Sequence, residues 1–304
     1  ERSGVYGKRS PRALASSEVP DDSVPNYEPV RLEITIDTTC NAACLICGPW
    51  HSTTWEKQQL KFKIRDVTQI PTRVDPNIWL DKFTSMYSFK YVNSISFLGG
   101  EPFKSEIPVK FLQFIKKVKP LTDIRLHFQT NGSIQPSPQL IELINESNRV
   151  IYNYSLDGIN KQAEYLRYPL RWKKILNTLE YIQNNDVNNA IHTVLATMTP
   201  LNLLRYNEVD QWATEFFSDS YRPPNSFILR PNRAIGNMDL AFTPIELRKD
   251  VTRLYGDNHP VSKMLSNLEV YHDPKEFLSY LNLWDQNRKT NWREIFPEIV
   301  KYFE

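Results

Sequence analysis

The only three cysteines of the chain, Cys40, Cys44 and Cys47, lie within eight residues of one another. An odd, closely spaced set is a poor disulfide framework, and thiolates this close together are typical of metal ligands in a reducing compartment. The spacing C-x3-C-x2-C allows the three thiolates to ligate three irons of a [4Fe–4S] cubane. Because such clusters usually take four cysteines, the fourth iron would here be open to a substrate or cofactor.

Two simpler interpretations of these cysteines stay open at this point. They could be buried structural residues that bind no metal. They could also bind zinc, with His51 as the fourth ligand of a Cys3His set. Nothing else in the segment resembles a zinc knuckle, which favours the iron–sulfur interpretation.

The composition predicts one soluble globular domain. The 304 residues are 40% apolar and 24% charged, which is sufficient for a sizeable core. There is no run of 18 apolar residues and no secretory signal, so we expect no membrane span and a cytoplasmic location. The net charge of +2, from 37 basic and 35 acidic side chains, gives no reason to expect a nucleic-acid partner.

Short β-like runs alternate with helical patterns along most of the chain. Residues 1–28 lack any apolar period and are predicted to form a mobile arm. Within residues 29–232 we predict six strands, at 31–37, 91–98, 123–130, 150–156, 190–197 and 226–231. Helices are predicted at 44–62, 105–118, 137–147, 171–184 and 202–217. This alternation predicts an α/β fold with a parallel sheet, a partial (β/α)6 TIM-like barrel.

The pattern changes after Pro231. Residues 233–304 are predicted to form a C-terminal extension. It should open with a hairpin over residues 233–243, around Gly236 and Asn237, and continue as helices.

Glycine and polar residues follow the ends of the predicted strands. They are Gly99, Gly100, Glu101 and Pro102 after the second strand, Thr130 and Asn131 at the third, Ser155 and Asp157 at the fourth, Arg167 ten residues later, and Leu195 in the fifth. The carboxyl ends of parallel strands meet at one edge of a sheet, where ligands bind. We therefore expect these residues to lie near the cysteine loop.

The cysteine spacing after a first strand, followed by these motifs in this order, resembles the radical S-adenosylmethionine superfamily over roughly residues 30–232. The resemblance implies that Cys40, Cys44 and Cys47 hold a [4Fe–4S] cluster, and that S-adenosyl-L-methionine chelates the open iron. It further implies that one electron from the cluster breaks the sulfonium bond. The resulting 5′-deoxyadenosyl radical then abstracts a substrate hydrogen.

The same resemblance implies roles for the residues around the cofactor. The Gly99–Pro102 segment would hold the methionine amine, and Arg167 its carboxylate. Ser155 and Asp157 would bind the ribose, with Thr130 and Asn131 at the same site. Leu195 and Ile46 would contact the adenine, although the family usually has an aromatic residue at the position of Ile46.

A finer resemblance, to the SPASM or twitch branch, is carried by residues 48–55 and 283–298. Those extensions normally bind auxiliary clusters through further cysteines, which this chain lacks. The resemblance implies a peptide or protein side chain as substrate, as in ribosomal peptide maturation, and an external electron donor such as flavodoxin or ferredoxin. A small molecule (a sugar, nucleotide or amino acid) is the alternative substrate, and a non-catalytic iron–sulfur module is the alternative function.

Overall fold

Six parallel strands form the centre of the molecule. The computed structural model describes residues 28–35, 38–64, 75–185, 190–217 and 227–304. Its strands are β1 Arg31–Ile34, β2 Ser94–Phe97, β3 Arg125–Thr130, β4 Arg149–Ser155, β5 Ile191–Met198 and β6 Phe227–Arg233. Each strand pairs in parallel with the next, giving the order β1 to β6. The predicted partial barrel is confirmed. The arm predicted for residues 1–28 lies outside the described residues, except for Glu28.

Helices surround the sheet and continue beyond it. Those between the strands are α1 Thr53–Lys61, α2 Pro76–Met86, α3 Ile107–Val118, α4 Pro138–Asn145, α5 Asn160–Leu166, α6 Trp172–Asn185 and α7 Tyr206–Phe217. The C-terminal ones are α8 Ile245–Tyr255, α9 Pro260–Ser266, α10 Pro274–Arg288, α11 Trp292–Ile295 and α12 Val300–Phe303. Across the described ranges, none of them has both the length and the apolar composition needed to cross a bilayer.

Aromatic side chains in register tie the middle of the sheet together. Phe97 pairs with Phe128, and Phe128 pairs with Tyr152 on the next strand. Their rings stack at centroid distances of 5.1 and 6.2 Å. All three side chains are buried. Stacked aromatic pairs add about 0.5–1.5 kcal/mol each beyond their buried area, so this ladder stabilises the strand register beneath the site.

A second hydrophobic core joins the C-terminal extension to the cysteine loop. Ala43 and Leu45 of the loop and Trp55 of α1 belong to the same buried cluster as Trp284 of α10 and Trp292 of α11. The rings of Trp55 and Trp284 meet edge to face at 4.4 Å. The extension is therefore packed directly beneath the loop that carries the cysteines.

The predicted helix over residues 44–62 is wrong in its first half, because the helix begins only at Thr53. The Ser52 hydroxyl accepts hydrogen bonds from the backbone amides of Thr54 and Trp55 and donates to the carbonyl of Ala42 at 2.5 Å. Ser52 thus starts the helix and also ties it back to the preceding loop. Helices α2 and α5 were not predicted.

The hairpin predicted over residues 233–243 is also wrong. Residues 236–238 and 240–242 form two 3-10 turns instead. The Asp239 carboxylate accepts from the Ala241 amide and starts the second turn. Phe242 is buried and its ring stacks on Phe277 of α10 at 6.2 Å. Packing of this apolar segment against α10 replaces the second strand of a hairpin.

Candidate cofactor site

The loop after β1 brings the three cysteines to one cavity. Cys40 and Cys44 are buried, Cys47 is half-buried, and all three are free thiols. They line a cavity of about 200 Å³. Backbone at the end of α5 and just after it holds the loop in place. The carbonyl of Tyr168 accepts from the amide of Ala43 at 2.6 Å, and that of Leu166 accepts from the amide of Leu45 at 2.8 Å.

Burial raises the pKa of all three thiols, and that of Cys44 reaches about 12. The cause is desolvation, since the thiolate is charged and the thiol is not. The neighbouring Arg167 lowers the pKa of Cys44 but does not offset its burial. The thiols are therefore protonated at neutral pH, and any metal that binds them must displace their protons.

The arrangement of the thiols bears on the kind of metal they can hold. Nowhere in the described ranges do three or more His, Cys, Asp or Glu side chains stand ready to hold one metal ion. A single zinc ion with Zn–S bonds of about 2.3 Å would draw its thiolates close together. In a cubane each thiolate binds a different iron, so the sulfur atoms must be further apart. The described thiols are thus not gathered around one metal-ion position, and a cubane does not require them to be.

The turn after β2 supplies the opposite wall of the cavity. Gly99 has a φ of 109°, which favours glycine. A Cβ on Gly100 would overlap the backbone carbonyl of Thr39, just before the cysteine loop. The amide of Glu101 donates to that same carbonyl at 2.8 Å. Both glycines line the cavity and let the turn approach the cysteine loop closely.

Glu101 and Pro102 do not line the cavity. The Glu101 carboxylate is buried and accepts from the Thr130 hydroxyl and the Asn131 amide, both at 2.7 Å. Desolvation raises its pKa to about 7, although these hydrogen bonds lower it. The carboxylate is thus used to fix the end of β3.

Thr130 and Asn131 line the cavity, as expected from their place at the end of β3. The Asn131 side-chain amide donates to Asn41 at 2.9 Å and lies 3.9 Å from the sulfur of Cys40. The Ser133 hydroxyl donates a hydrogen bond to the side-chain oxygen of Asn131 and accepts one from the side-chain amide of Asn41. A small polar network therefore connects the end of β3 to the cysteine loop.

Arg167 is the cation of the cavity. Its guanidinium is buried and its Nη2 lies 2.9 Å from both oxygens of Asp157. Burial lowers the pKa of Arg167, but the charge of Asp157 raises it above its ordinary value, so it stays protonated. Asp157 itself is behind Arg167 and does not line the cavity. It also accepts from the Thr197 amide at 2.8 Å.

The remaining predicted residues, Ile46, Ser155 and Leu195, all line the cavity. The sequence reasoning missed Gln129, Thr197 and Asn232, which line it as well. Thr197 lies two positions after Leu195 and is in register with Asn232 of β6. Because side chains on a strand alternate with period two, Thr197 could have been inferred from Leu195, whereas the place of Asn232 depends on the register of β6.

A parallel half-barrel with a thiol-lined cavity at the strand ends defines a cofactor-binding α/β protein. The model of the radical SAM superfamily matches residues 34–212, more than half of the chain. The chain belongs to this superfamily, whose cofactors are a [4Fe–4S] cluster and S-adenosylmethionine. The donor set described above, three thiols and no fourth cysteine, fits such a cluster.

Two solved structures are similar to this chain at low sequence identity. The structure of anSMEcpe with bound AdoMet matches with a TM-score of 0.50 and 15% identity, covering 80% of this chain and 64% of that protein. Streptococcus suis SuiB bound to S-adenosylmethionine matches with a TM-score of 0.45 and 15% identity, covering 87% and 49%. The chain thus spans less than two thirds of the length of either protein. No curated protein matches the sequence.

Proposed function

We propose that the chain is a radical S-adenosylmethionine enzyme that holds its cluster on Cys40, Cys44 and Cys47. The observation that carries this proposal is the shared cavity, in which the three thiols meet Gly100 and Arg167 at the carboxyl ends of the strands. When bound, the cofactors supply a 5′-deoxyadenosyl radical that abstracts hydrogen from a substrate. The protein's part is to bind, orient and shield them.

Arg167 is proposed to bind the methionine carboxylate. Its Nε has no hydrogen-bond partner although the side chain is buried, whereas Nη2 is held by Asp157. Its Nη1 lies 3.8 Å from the Cys44 sulfur, so Nε is the N–H group left to donate to a carboxylate ligand. Asp157 therefore acts as a positioning residue for Arg167 and keeps the pair neutral.

Glu101 is proposed to act through its neighbours and not by direct contact with the cofactor. Its carboxylate holds Thr130 and the Asn131 backbone, and these residues face the cavity. The backbone of Gly99 and Gly100 is then the part of this turn that approaches the methionine amine. Ser155 is assigned to the ribose, and Ile46 and Leu195 to the adenine, because these residues line the same cavity.

The proposed substrate is a peptide or protein side chain. What supports this class is the similarity of residues 48–55 and 283–298 to the twitch branch, with the barrel at 29–232 and the extension at 233–304 as its two parts. With no cysteine beyond the three of the loop, an auxiliary cluster is not proposed. The electron comes from an external donor such as flavodoxin or ferredoxin.

The experiment is anaerobic reconstitution followed by incubation with dithionite and S-adenosylmethionine. We expect about four irons per chain and formation of 5′-deoxyadenosine. A variant with all three cysteines changed to Ala should have neither. A triple variant that still holds four irons would contradict the assignment. Loaded protein that never forms 5′-deoxyadenosine would instead favour a non-catalytic module.

A further inference from the structure

Arg288, near the C-terminal end of α10, reaches the cysteine loop from beneath. Its Nη2 donates to the carbonyl of Ala43 at 2.8 Å and its Nε to the side chain of Gln58 at 3.1 Å. The side chain is 7% exposed. A residue far along the chain thus contacts the backbone between Cys40 and Cys44.

Two further side chains hold the next two carbonyls of the loop. The Trp55 indole donates to the carbonyl of Cys44 at 2.7 Å, and the Tyr280 hydroxyl donates to that of Leu45 at 2.8 Å. With Arg288 on Ala43, three consecutive carbonyls each accept from a side chain. This fixes the orientation of the peptide units on both sides of Cys44.

Arg288 carries a charge that no carboxylate of the described residues neutralises. Among the described residues it has no salt bridge, and its Nη1 has no hydrogen-bond partner. Asp285, one turn earlier, accepts from the Thr290 hydroxyl and the Trp292 amide instead. Rings surround the guanidinium, with centroids 4.6 Å away for Trp284, 4.8 Å for Tyr168 and 5.2 Å for Trp55.

A buried cation without a counter-charge is costly, and aromatic faces offset only part of that cost. Arg167, a second cation beside the loop, is already paired with Asp157. The net negative charge that a cubane core and its three thiolates bring to the loop would complement Arg288. That charge increases when the cluster accepts an electron.

We propose that Arg288 is a positioning residue of the cluster, which fixes the cysteine loop and supplies a buried positive charge that favours the reduced cluster. This inference rests on the proposed function, because it requires the cluster on the three cysteines. Net charge and hydrogen bonding around a cluster are among the factors that set its reduction potential.

The test compares the midpoint potential of the reconstituted cluster in wild type, Arg288→Lys and Arg288→Gln. Both variants lose the guanidinium fork, but only Lys keeps the charge. We expect Gln to shift the potential to more negative values and Lys to stay near wild type. Arg248→Gln is the matched control, because Arg248 is equally buried and bonds the Thr243 carbonyl at 2.8 Å, but no residue of the cysteine loop. Its potential should equal that of wild type.

The outcomes show whether the cluster depends on the charge of Arg288 or only on its packing. Equal potentials for Lys and Gln, or an equal shift in Arg248→Gln, would overturn the inference. The Arg288→Gln variant could bind no iron at all. In that case, iron retained by Arg288→Lys and by Arg248→Gln supports a need for the charge. Loss of iron from Arg288→Lys as well overturns the inference. A wild-type chain without iron would overturn the proposed function and this inference together.

Discussion

The guanidinium of Arg167 lies with its Nη1 3.8 Å from the sulfur of Cys44, 123 positions earlier in the chain. The same guanidinium is held by Asp157. One buried ion pair therefore stands directly beside a cysteine of the proposed cluster. Arg167 therefore supplies a positive charge to the site, and removal of either Arg167 or Asp157 should destabilise the fold.

Removing Arg167 alone should destabilise the fold. In Arg167→Gln the Asp157 carboxylate stays buried without its partner, which should lower the free energy of unfolding by about 3–5 kcal/mol. The double variant Arg167→Gln with Asp157→Asn should recover part of this loss. Urea unfolding of the cluster-free proteins measures both effects. Arg171→Gln, which removes an exposed arginine, should change little. A single variant as stable as wild type would contradict the burial of this pair.

The affinity for S-adenosylmethionine provides a separate test of Arg167. The double variant should bind the cofactor about 10- to 150-fold more weakly, which corresponds to roughly 1.5–3 kcal/mol for a hydrogen bond to a charged group. Its iron content should be unchanged. Equilibrium binding to the reconstituted protein measures this. Unaltered affinity would mean that the methionine carboxylate is held elsewhere.

Adding a methyl group at Gly100 should disturb the cysteine loop. In Gly100→Ala the new Cβ overlaps the Thr39 carbonyl, so the backbone must shift. We expect a loss of stability of about 1–3 kcal/mol and less iron per chain after reconstitution. Gly48→Ala is the matched control, since nothing lies within 4 Å of its Cβ. Thermal unfolding and iron analysis should separate the two variants.

Glu101 should make the cluster-free protein less stable as the pH rises. Its pKa is about 7 in the folded state against 4.5 when exposed, so between these values the folded state binds more protons. The contribution of Glu101 to the free energy of unfolding is thus fully present below pH 4.5, falls by about 3 kcal/mol as the pH rises from there to the folded-state pKa, and is lost above it. Glu101→Gln should remove this part of the pH dependence. The exposed Glu142→Gln should leave it in place. Urea midpoints at several pH values provide the measurement.

The three thiols should differ in reactivity before any metal is bound. Cys47 is half-buried, whereas Cys40 and Cys44 are buried and the pKa of Cys44 is about 12. Because the thiolate is the nucleophile, Cys47 should react first with iodoacetamide and Cys44 last. Peptide mapping by mass spectrometry gives the order. Fastest labelling at Cys44 would show that the loop is open in the cluster-free protein.

The strand–helix alternation and the site motifs could be read from the sequence because they are local patterns. The C-x3-C-x2-C spacing lies within one loop, and the polar residues at the strand ends share an edge by the topology of any parallel sheet. The predictions for Gly99, Gly100 and Thr130 needed only their position at or just after the end of a strand, and all three line the cavity.

Only the tertiary structure decided which side chains face the cavity and what holds the loop. Glu101 follows Gly100 directly, yet it turns to Thr130, 29 positions away. Arg288 reaches Ala43 across 245 positions, a contact that depends on how α10 packs on Trp55. A side chain that donates to a backbone carbonyl leaves no spacing or periodic pattern in the sequence, because every residue offers the same acceptor. The sequence alone therefore determined the ligands of the proposed cluster, while packing determined the charge placed beneath them.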